Sequence, residues 1–477
     1  MKSTLERELK LRAAAGFSLP RLPGTPIATR HISSTYHDTA DHRLASAGVT
    51  LRYRSENGSG AWQLKLPTGQ ARTELEVEGS PDTVPGELLD LISAPLGRHA
   101  LSAVATLQTV RNGVVVKAGD RDVAEVVQDQ VVVLAGAEAV RAFDELEVEL
   151  LDGDEADLER LRQTLEQAGA QNGDQRPKLL QALGLQPPET PEIDPAQPPF
   201  AQLTAMLQAQ RRAIVAHDPG TRLGTDAEEL HQQRVAVRRL RALLRAARPM
   251  LDRDWVTDLR AELKWLGAAL GHVRDLDVLL DHLEREAAAL PRADMEAFAT
   301  LYAALAQRRQ AARELMLGAL REERYTALLD RLERELADPP RDGDEIQPAK
   351  LAAKEFRRLR RKMRSLSSDS PDQELHAARI AVKRARYAAE LAAPSSGKRM
   401  RKLVSSYKEL QDVLGDHQDA AVAEDAVREV ATATGKAPAA LAAGMIVERQ
   451  RARRSAAREA LPDSWRTAKR RARRAFQ

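Results

Sequence analysis

Polar and apolar residues alternate from the first residues of the chain. In "LERELKL" (5–11), Leu5, Leu9 and Leu11 share one parity, Glu6, Glu8 and Lys10 the other, and Arg7 is the one interruption. Successive side chains of a strand point to opposite faces, so two carboxylates and an ammonium lie together. The habit recurs. "TLRYRS" aligns Arg52 with Arg54, "WQLKLP" aligns Gln63 with Lys65, "TELEVEGS" aligns Glu74, Glu76 and Glu78, and "DELEVELLDG" aligns Glu145, Glu147 and Glu149. A solvated sheet face also alternates, but with mixed Thr and Ser. Strands carrying mostly Glu, Arg and Lys on one face predict a closed antiparallel barrel with a charged lumen.

After the short strands, "DEADLERLRQTLEQAGA" reads as a helix with acids in its first turn, and 183–200 holds six prolines without periodicity, which predicts a linker. From about residue 200 the period becomes 3.6 residues and strand signals vanish. This half repeats itself: "LHQQRVAVRRLR" (230–241) and "LHAARIAVKRAR" (375–386) share seven of twelve residues at an offset of 145, while "ALGHVRD" (269–275) and "VLGDHQD" (413–419) match at 144. The offsets are far longer than solenoid periods, so two similar bundles about a pseudo-twofold axis are expected. The expected fold is therefore multidomain α+β: an N-terminal antiparallel β barrel with helices over 1–185, a Pro-rich linker at 186–198, and a duplicated all-α unit at 199–477 with repeats of about 199–340 and 345–477.

Charge sharpens this division. The net charge of the whole chain is +3, yet residues 1–198 carry 20 Lys and Arg against 30 Asp and Glu, and residues 199–477 carry 53 against 40. An acidic half suits metal cations and a basic half suits a polyanion. On the first repeated helix, with His231 at 0°, Arg234, Arg238, Arg241 and Arg245 fall at 300°, 340°, 280° and 320°, beside a core stripe of Val237, Leu240, Leu243 and Leu244. His376, Arg379, Lys383 and Arg386 hold the same angles in the second copy, which departs at Glu390, where the first has Arg245. A solvated face would mix signs to gain i,i+4 pairs, whereas these columns carry almost no acid. If the copies face each other, they form a basic groove for a linear polyanion. Aromatic residues make up 3% of the chain, which disfavours single-stranded nucleic acid and favours phosphates without bases.

The chain has no cysteine, which excludes disulfides, thiolate metal sites and cysteine nucleophiles. The first residues lack an apolar core of signal-peptide length, and no stretch approaches 18 uninterrupted apolar residues; a soluble, cytoplasmic protein without membrane partners is expected.

Glu6-x-Glu8-x-Lys10 resembles the ExExK signature of the CYTH domain, the triphosphate tunnel metalloenzyme family. "YHDTADHRLASAGVTLRYR" is similar to a second family segment and supplies Arg52 and Arg54. "WQLKLP" resembles the lysine strand (Lys65), "RTELEVE" the next (Arg72, Glu74), and "FDELEVELLDGD" the late acidic strand (Glu145, Glu147). "LQTVRNGVVV" stands where the family has an arginine, here Arg111, and "QRPKLLQAL" supplies Lys178, with Pro177 departing from the family's Ser. The duplicated L-H-x-x-R-[VI]-A-V-[RK]-R-x-R motif resembles the CHAD domain, a helical module that often follows CYTH.

The resemblance implies an eight-stranded tunnel that binds a triphosphate with Mg²⁺ or Mn²⁺. It assigns metal to Glu6, Glu8, Glu145 and Glu147. Lys10, Arg52, Arg54, Lys65 and Arg111 would hold phosphates, with Arg72, Glu74 and Lys178 as further substrate contacts. Water would displace the terminal phosphate in line. For the helical half it implies inorganic polyphosphate, held by His231, Arg234, Arg238, Arg241, Arg245, His376, Arg379, Lys383 and Arg386. The expected enzyme is a divalent-metal-dependent inorganic triphosphatase acting on tripolyphosphate. The alternatives are a degenerate polyphosphate-binding adaptor, or a CYTH enzyme acting on thiamine triphosphate or cyclising ATP.

Overall fold

The computed structural model describes residues 1–13, 17–69, 71–187, 193–287, 295–342, 346–367, 369–435 and 437–477, except the side chains of Ala297 and Thr434. The chain divides into two compact units. The first comprises Met1–Glu189 with Asp218–Leu223, and the second Thr190–His217 with Gly224–Gln477.

In the first unit ten strands form one sheet: β1 (Lys2–Glu6), β2 (Glu8–Ala13), β3 (Gly24–Asp38), β4 (Thr50–Glu56), β5 (Ser59–Thr68), β6 (Ala71–Glu78), β7 (Ser102–Ala118), β8 (Arg121–Ala135), β9 (Glu138–Leu150) and β10 (Ala170–Asn172). Their order is β1-β6-β5-β4-β3-β7-β8-β9-β2-β10, antiparallel at each pairing. β1 and β2 are one extended segment interrupted at Arg7. The first part pairs with β6 (Glu6 opposite Arg72) and the second with β9 (Glu8 opposite Glu149). The segment therefore joins the two edges, and the sheet closes into a ring of eight strands with β10 as a short addition beside β2. The interruption that spoils the alternation at Arg7 is where the strand changes partner. β4 and β5 are joined by Asn57 and Gly58, at φ 52° and 84°, the left-handed pair that a two-residue hairpin turn requires.

Alternation sorts the side chains as the charge pattern predicts. Leu51, Leu64 and Leu75 are fully buried on the outward face of the ring, under Leu88 and Ile92, while their polar neighbours Arg52, Lys65 and Glu74 point the other way. The helices of this unit are α1 (Arg43–Ser46), α2 (Gly86–Leu91), α3 (Ser93–Leu96), α4 (Glu155–Gln167) and α5 (Lys178–Leu183). The predicted helix after the acidic strand is α4, opened by a capping box between Asp154 and Asp157, with Leu161 and Leu165 packed on the strands.

In the second unit, α6 (Pro199–Ala216) precedes α7 (Asp218–Leu223), which belongs to the first unit. There follow α8 (Ala227–Ala246), α9 (Arg253–Ala287), α10 (Met295–Arg321), α11 (Glu323–Glu335), α12 (Pro348–Arg364), α13 (Asp372–Thr434) and α14 (Ala437–Ala475). α13 is two helices joined at Gly397, whose φ of 70° breaks the run. Its first half, 372–396, is the counterpart of α8, and its second, 398–434, that of α9, so the repeat in the sequence is a repeat of helix pairs. No helix among the described residues is long and apolar enough to cross a membrane.

Candidate active site and basic groove

The lumen of the ring is a pocket lined by Glu6, Glu8, Lys10, Arg52, Arg54, Lys65, Arg72, Arg111, Glu147, Glu149 and Lys178, together with Tyr36 and Asp129. Strand register explains the company. Lys10 lies opposite Glu147, Lys65 opposite Glu74, Arg52 opposite Gln63, and Arg111 opposite Asp129. Glu74 and Arg54 also line a second mouth of the ring with Arg30, Glu56, Gln63 and Glu76. Glu145, 3% exposed, lies at the other end, accepting from Lys10 Nζ at 3.2 Å and Gln181 Nε2 at 3.0 Å.

Three ion clusters share this space. In the first, Lys65 Nζ donates to both oxygens of Glu6 at 2.8 and 2.6 Å and lies 3.0 Å from Glu74. Burial, with the Glu74 carboxylate adding to it, pushes Glu6 up to about 7. Burial works in the same direction on Glu74, but Lys65 and Arg52 outweigh it and hold that carboxyl down at about 2. In the second, Lys178 at the start of α5 reaches Glu145 at 3.2 Å, Glu147 at 3.1 Å and Asp129 at 2.5 Å, with Lys10 beside them. Burial and the Glu147 charge raise Glu145, whereas Lys178, Lys10 and Arg111 overcome burial to keep Glu147 well below the usual range.

The third cluster has cations in excess. Arg111 is engaged: its fork bonds the fully buried Asp129 at 2.8 and 2.7 Å, and it also reaches Glu147 at 3.0 Å. Arg52 bonds Gln63 at 2.8 Å and the Tyr36 hydroxyl at 3.1 Å. Arg30 is bidentate to Glu56 at 2.7 and 2.6 Å. Arg54 approaches that same Glu56 at 3.8 Å and, among the described residues, makes no closer ion pair. Burial, then the charges of Arg52, Arg111 and Arg30, push Arg54 down to about 10. A guanidinium in that position is short of negative charge.

Among the described residues, no group of three or more acidic or histidine side chains is arranged to hold an ion. Of the four expected metal ligands, Glu6, Glu145 and Glu147 are each within 3.2 Å of a cation, while Glu8, among the described residues, comes no nearer to one than 3.7 Å, at Lys10. Glu149 lies opposite Glu8 on the lumen side, and burial raises its carboxyl. Two carboxylates with open solvent positions are what a hydrated Mg²⁺ or Mn²⁺ takes from a protein when phosphates supply further oxygens. The donor set therefore fits such an ion through Glu8 and Glu149.

Some motif residues have structural work. Asp38, fully buried, accepts from the backbone N–H groups of Thr39, Leu44 and Ala45 and so fixes the turn into α1. His37 packs edge-on against Trp62 at 4.9 Å. Asp129 escaped the sequence reading, although one acid at an inward position of a valine-rich strand ("VVQDQVVV") was a usable signal.

The second unit presents a groove whose lining includes Arg238, Arg241 and Arg245 of the first repeat and Lys383 of the second. Arg238 and Lys383 are equivalent positions, and they are close: burial, Arg379 and Arg238 together push Lys383 down to about 8. Arg248, Arg253, Arg260, Lys354, Arg358 and Arg384 also line the groove, against one acid, Glu355. Arg384 belongs to the repeated motif, as the counterpart of Arg239; the other five come from the turn after α8, from α9 and from α12, outside the motif, which is why the motif did not reveal them. Arg234 and Arg379 are paired instead with Asp275 at 2.8 Å and Asp419 at 3.7 Å, each guanidinium lying against a motif glycine, Gly271 or Gly415. His376 bonds Gln418 at 2.8 Å, and Arg386 stacks over Tyr387 at 4.5 Å and approaches Glu390 at 3.6 Å. His231 is not in the groove lining; burial, then Arg274, lowers its pKa.

A model of the CYTH domain matches residues 4–179, and one of the CHAD domain matches residues 205–428. The uncharacterized protein Rv2226 of Mycobacterium tuberculosis is 31% identical over 443 residues, 86% of this chain and 84% of its own length. The chain belongs to the CYTH–CHAD family. Among solved structures, PptA from Streptomyces chartreusis aligns at 25% identity over 55% of this chain and 98% of its own, with a TM-score of 0.46. The CHAD domain from the plant Ricinus communis aligns at 27% over 58% and 94%, also with a TM-score of 0.46. CYTH domains include triphosphatases and cyclases, and the tunnel metalloenzymes among them depend on a divalent metal.

Proposed function

We propose that the CYTH tunnel hydrolyses inorganic tripolyphosphate, or a short polyphosphate, with Mg²⁺ or Mn²⁺, and that the CHAD groove binds polyphosphate. The observation that carries the reading is Arg54, a half-buried guanidinium of the lumen whose approach to Glu56, at 3.8 Å, meets a carboxylate already held by both arms of Arg30. A phosphate chain supplies the missing charge. Arginine suits it because the planar fork matches two phosphate oxygens at once. Arg52 on the same strand, β4, and Lys65 on the neighbouring β5 share the load, and Lys10 of β2 lines the same lumen.

Glu8 and Glu149 would hold the metal. When bound, the ion supplies charge neutralisation on phosphate oxygens and an acidified water. The chain's own residues do the rest. The cations orient the terminal phosphate for in-line attack by water, the bridging P–O bond breaks, and pyrophosphate leaves as orthophosphate forms. Glu6, pushed up to about 7, is a carboxyl able to take a proton near neutral pH. Recognition of a nucleobase or thiamine would need its own contacts; twelve of the twenty residues that line the lumen are charged and one, Tyr36, is aromatic, and this favours the inorganic substrate. The cationic groove, with Arg238 and Lys383 together across the repeat, supports a linear phosphate ligand for the second unit.

The test is phosphate release from tripolyphosphate, thiamine triphosphate and ATP with either metal. Tripolyphosphate should be the preferred substrate. Cyclic AMP as the main product would overturn the reading, and metal-independent binding without hydrolysis would favour the adaptor.

A further inference from the structure

The repeat aligns the groove with a counterpart on the other side of the pseudo-twofold. At an offset of 145, Arg245 corresponds to Glu390, Arg384 to Arg239, Arg248 to Ala393 and Pro249 to Pro394; at 144, Arg260 corresponds to Val404. The first member of each pair lines the basic groove. The second lines a separate, smaller pocket. The two pockets are therefore copies of one feature that have diverged.

Their chemistry is opposite. In the smaller pocket Arg239 Nη2 donates to Glu390 Oε2 at 3.4 Å, so those two facing charges cancel; an alanine and a valine replace two arginines, and Arg401 is the one further charged residue of the lining, beside six apolar ones. Ile193 and Pro195, from the segment before α6, form part of its wall. In the groove the corresponding pair is Arg245 with Arg384, two like charges, and Arg260 adds a third. Each of Arg245, Arg241 and Arg260 is lowered by burial and then by a neighbouring arginine. Like charges held together destabilise the protein unless a ligand offsets them. The cancelled pair across the axis shows the arrangement the fold adopts when no ligand is served.

We propose that the duplicated unit carries one mouth for a phosphate chain, between Arg245 and Arg384, and that its counterpart has been converted into an apolar seat closed by the Arg239–Glu390 ion pair. The reversal of charge between the two falls at one aligned position, 245 and 390, and the loss of Arg248 and Arg260 to Ala393 and Val404 adds to it. The ligand enters from one side of the axis, and one chain is bound per protein. This rests on the reading of the groove as a polyphosphate site.

The experiment is calorimetric titration of the full-length protein without divalent metal. The probe is a polyphosphate short enough to hold one protein, and titrations are run at several salt concentrations. Arg54→Met is present throughout to weaken the tunnel. Arg245→Glu recreates the ion pair seen across the axis, so it should fold. It should weaken binding by about tenfold or more and flatten the salt dependence by about one to two units, for one or two lost phosphate contacts. Arg384→Glu should do the same. Glu390→Ala should leave affinity within about twofold, since the seat it closes takes no phosphate, and the groove should saturate at one chain per protein. If Glu390→Ala weakens binding as much as Arg245→Glu, or both reversals bind like the parent, the one-sided mouth is wrong. If the parent itself binds no polyphosphate, the underlying reading of the groove falls, and the mouth with it.

Discussion

Arg54→Met should make the unliganded protein more stable while it weakens substrate binding. Arg54 is depressed from 12.5 to about 10 by burial and by Arg52, Arg111 and Arg30. At 1.36 kcal/mol per unit, that shift is an unfavourable interaction of up to about 3 kcal/mol. The sign follows from linkage: a base whose folded-state pKa is lowered destabilises the fold wherever it is charged. The cost is fully present at neutral pH and is relieved only as pH climbs from about 10 towards 12.5. Methionine keeps an unbranched stem and removes the charge, so a gain of about 1–3 kcal/mol is expected, or roughly 2–4 °C per kcal/mol for a unit of this size. Tripolyphosphate affinity should fall about 10- to 100-fold, the worth of one charge-assisted hydrogen bond. Arg111→Met is the control from the same lumen. It takes two charge-assisted bonds from the fully buried Asp129, leaving it Lys178 alone, and one from Glu147, so it should cost up to about 3–5 kcal/mol. Thermal melts with and without tripolyphosphate read both quantities. If Arg54→Met destabilises the free protein as Arg111→Met does, Arg54 is an ordinary structural cation and the reasoning fails.

Other outcomes follow from the same contacts. Glu8→Gln should cut turnover by a factor of about 100 or more with an unchanged melting temperature, because among the described residues Glu8 has no cation closer than 3.7 Å; a large drop in stability would contradict this. Metal affinity should rise with pH through and above the ordinary carboxyl range, with proton release visible by calorimetry in buffers of different ionisation enthalpy, since burial raises the carboxyl of Glu149. In the metal-free protein the raised Glu6 should lower stability as pH climbs from 4.5 towards 7, because its deprotonation is disfavoured in the fold; Glu74, held at about 2, gives its full support throughout that window. Arg238→Ala and Lys383→Ala should weaken polyphosphate binding by similar factors, as equivalents that meet at the axis, whereas Arg234→Ala should act less, being paired with Asp275; equal effects for all three would contradict that ranking.

Much of this architecture was legible because period 2 and charge coincide. Residues such as Arg52, Lys65 and Glu147 could be placed on one face from alternation alone, and the family motif supplied the tunnel. Ring closure was not legible. It depends on Arg7, which reads as a flaw in the pattern until β1 is seen to leave β6 and β2 to join β9. The balance of charges was hidden for a related reason. The sequence lists Arg54 and Arg111 as similar cations, but register sets Asp129 opposite Arg111 and Ala61 opposite Arg54. In the helical half the motif marks the columns, while the groove draws Arg248, Arg260 and Arg358 from positions that need the helices packed before they converge. The departure at Glu390 was visible as a mismatch, and it gains meaning only through its partner Arg239.

The central claim is that the charged tunnel is an inorganic triphosphatase. Its most direct test is the initial rate of orthophosphate release by the full-length protein from tripolyphosphate, with ATP and thiamine triphosphate in parallel, in Mg²⁺, Mn²⁺ and chelator. The account predicts metal-dependent release fastest from tripolyphosphate and abolished by Glu8→Gln. Equal rates in chelator, an undiminished rate in Glu8→Gln, or faster turnover of ATP to a cyclic product would contradict it.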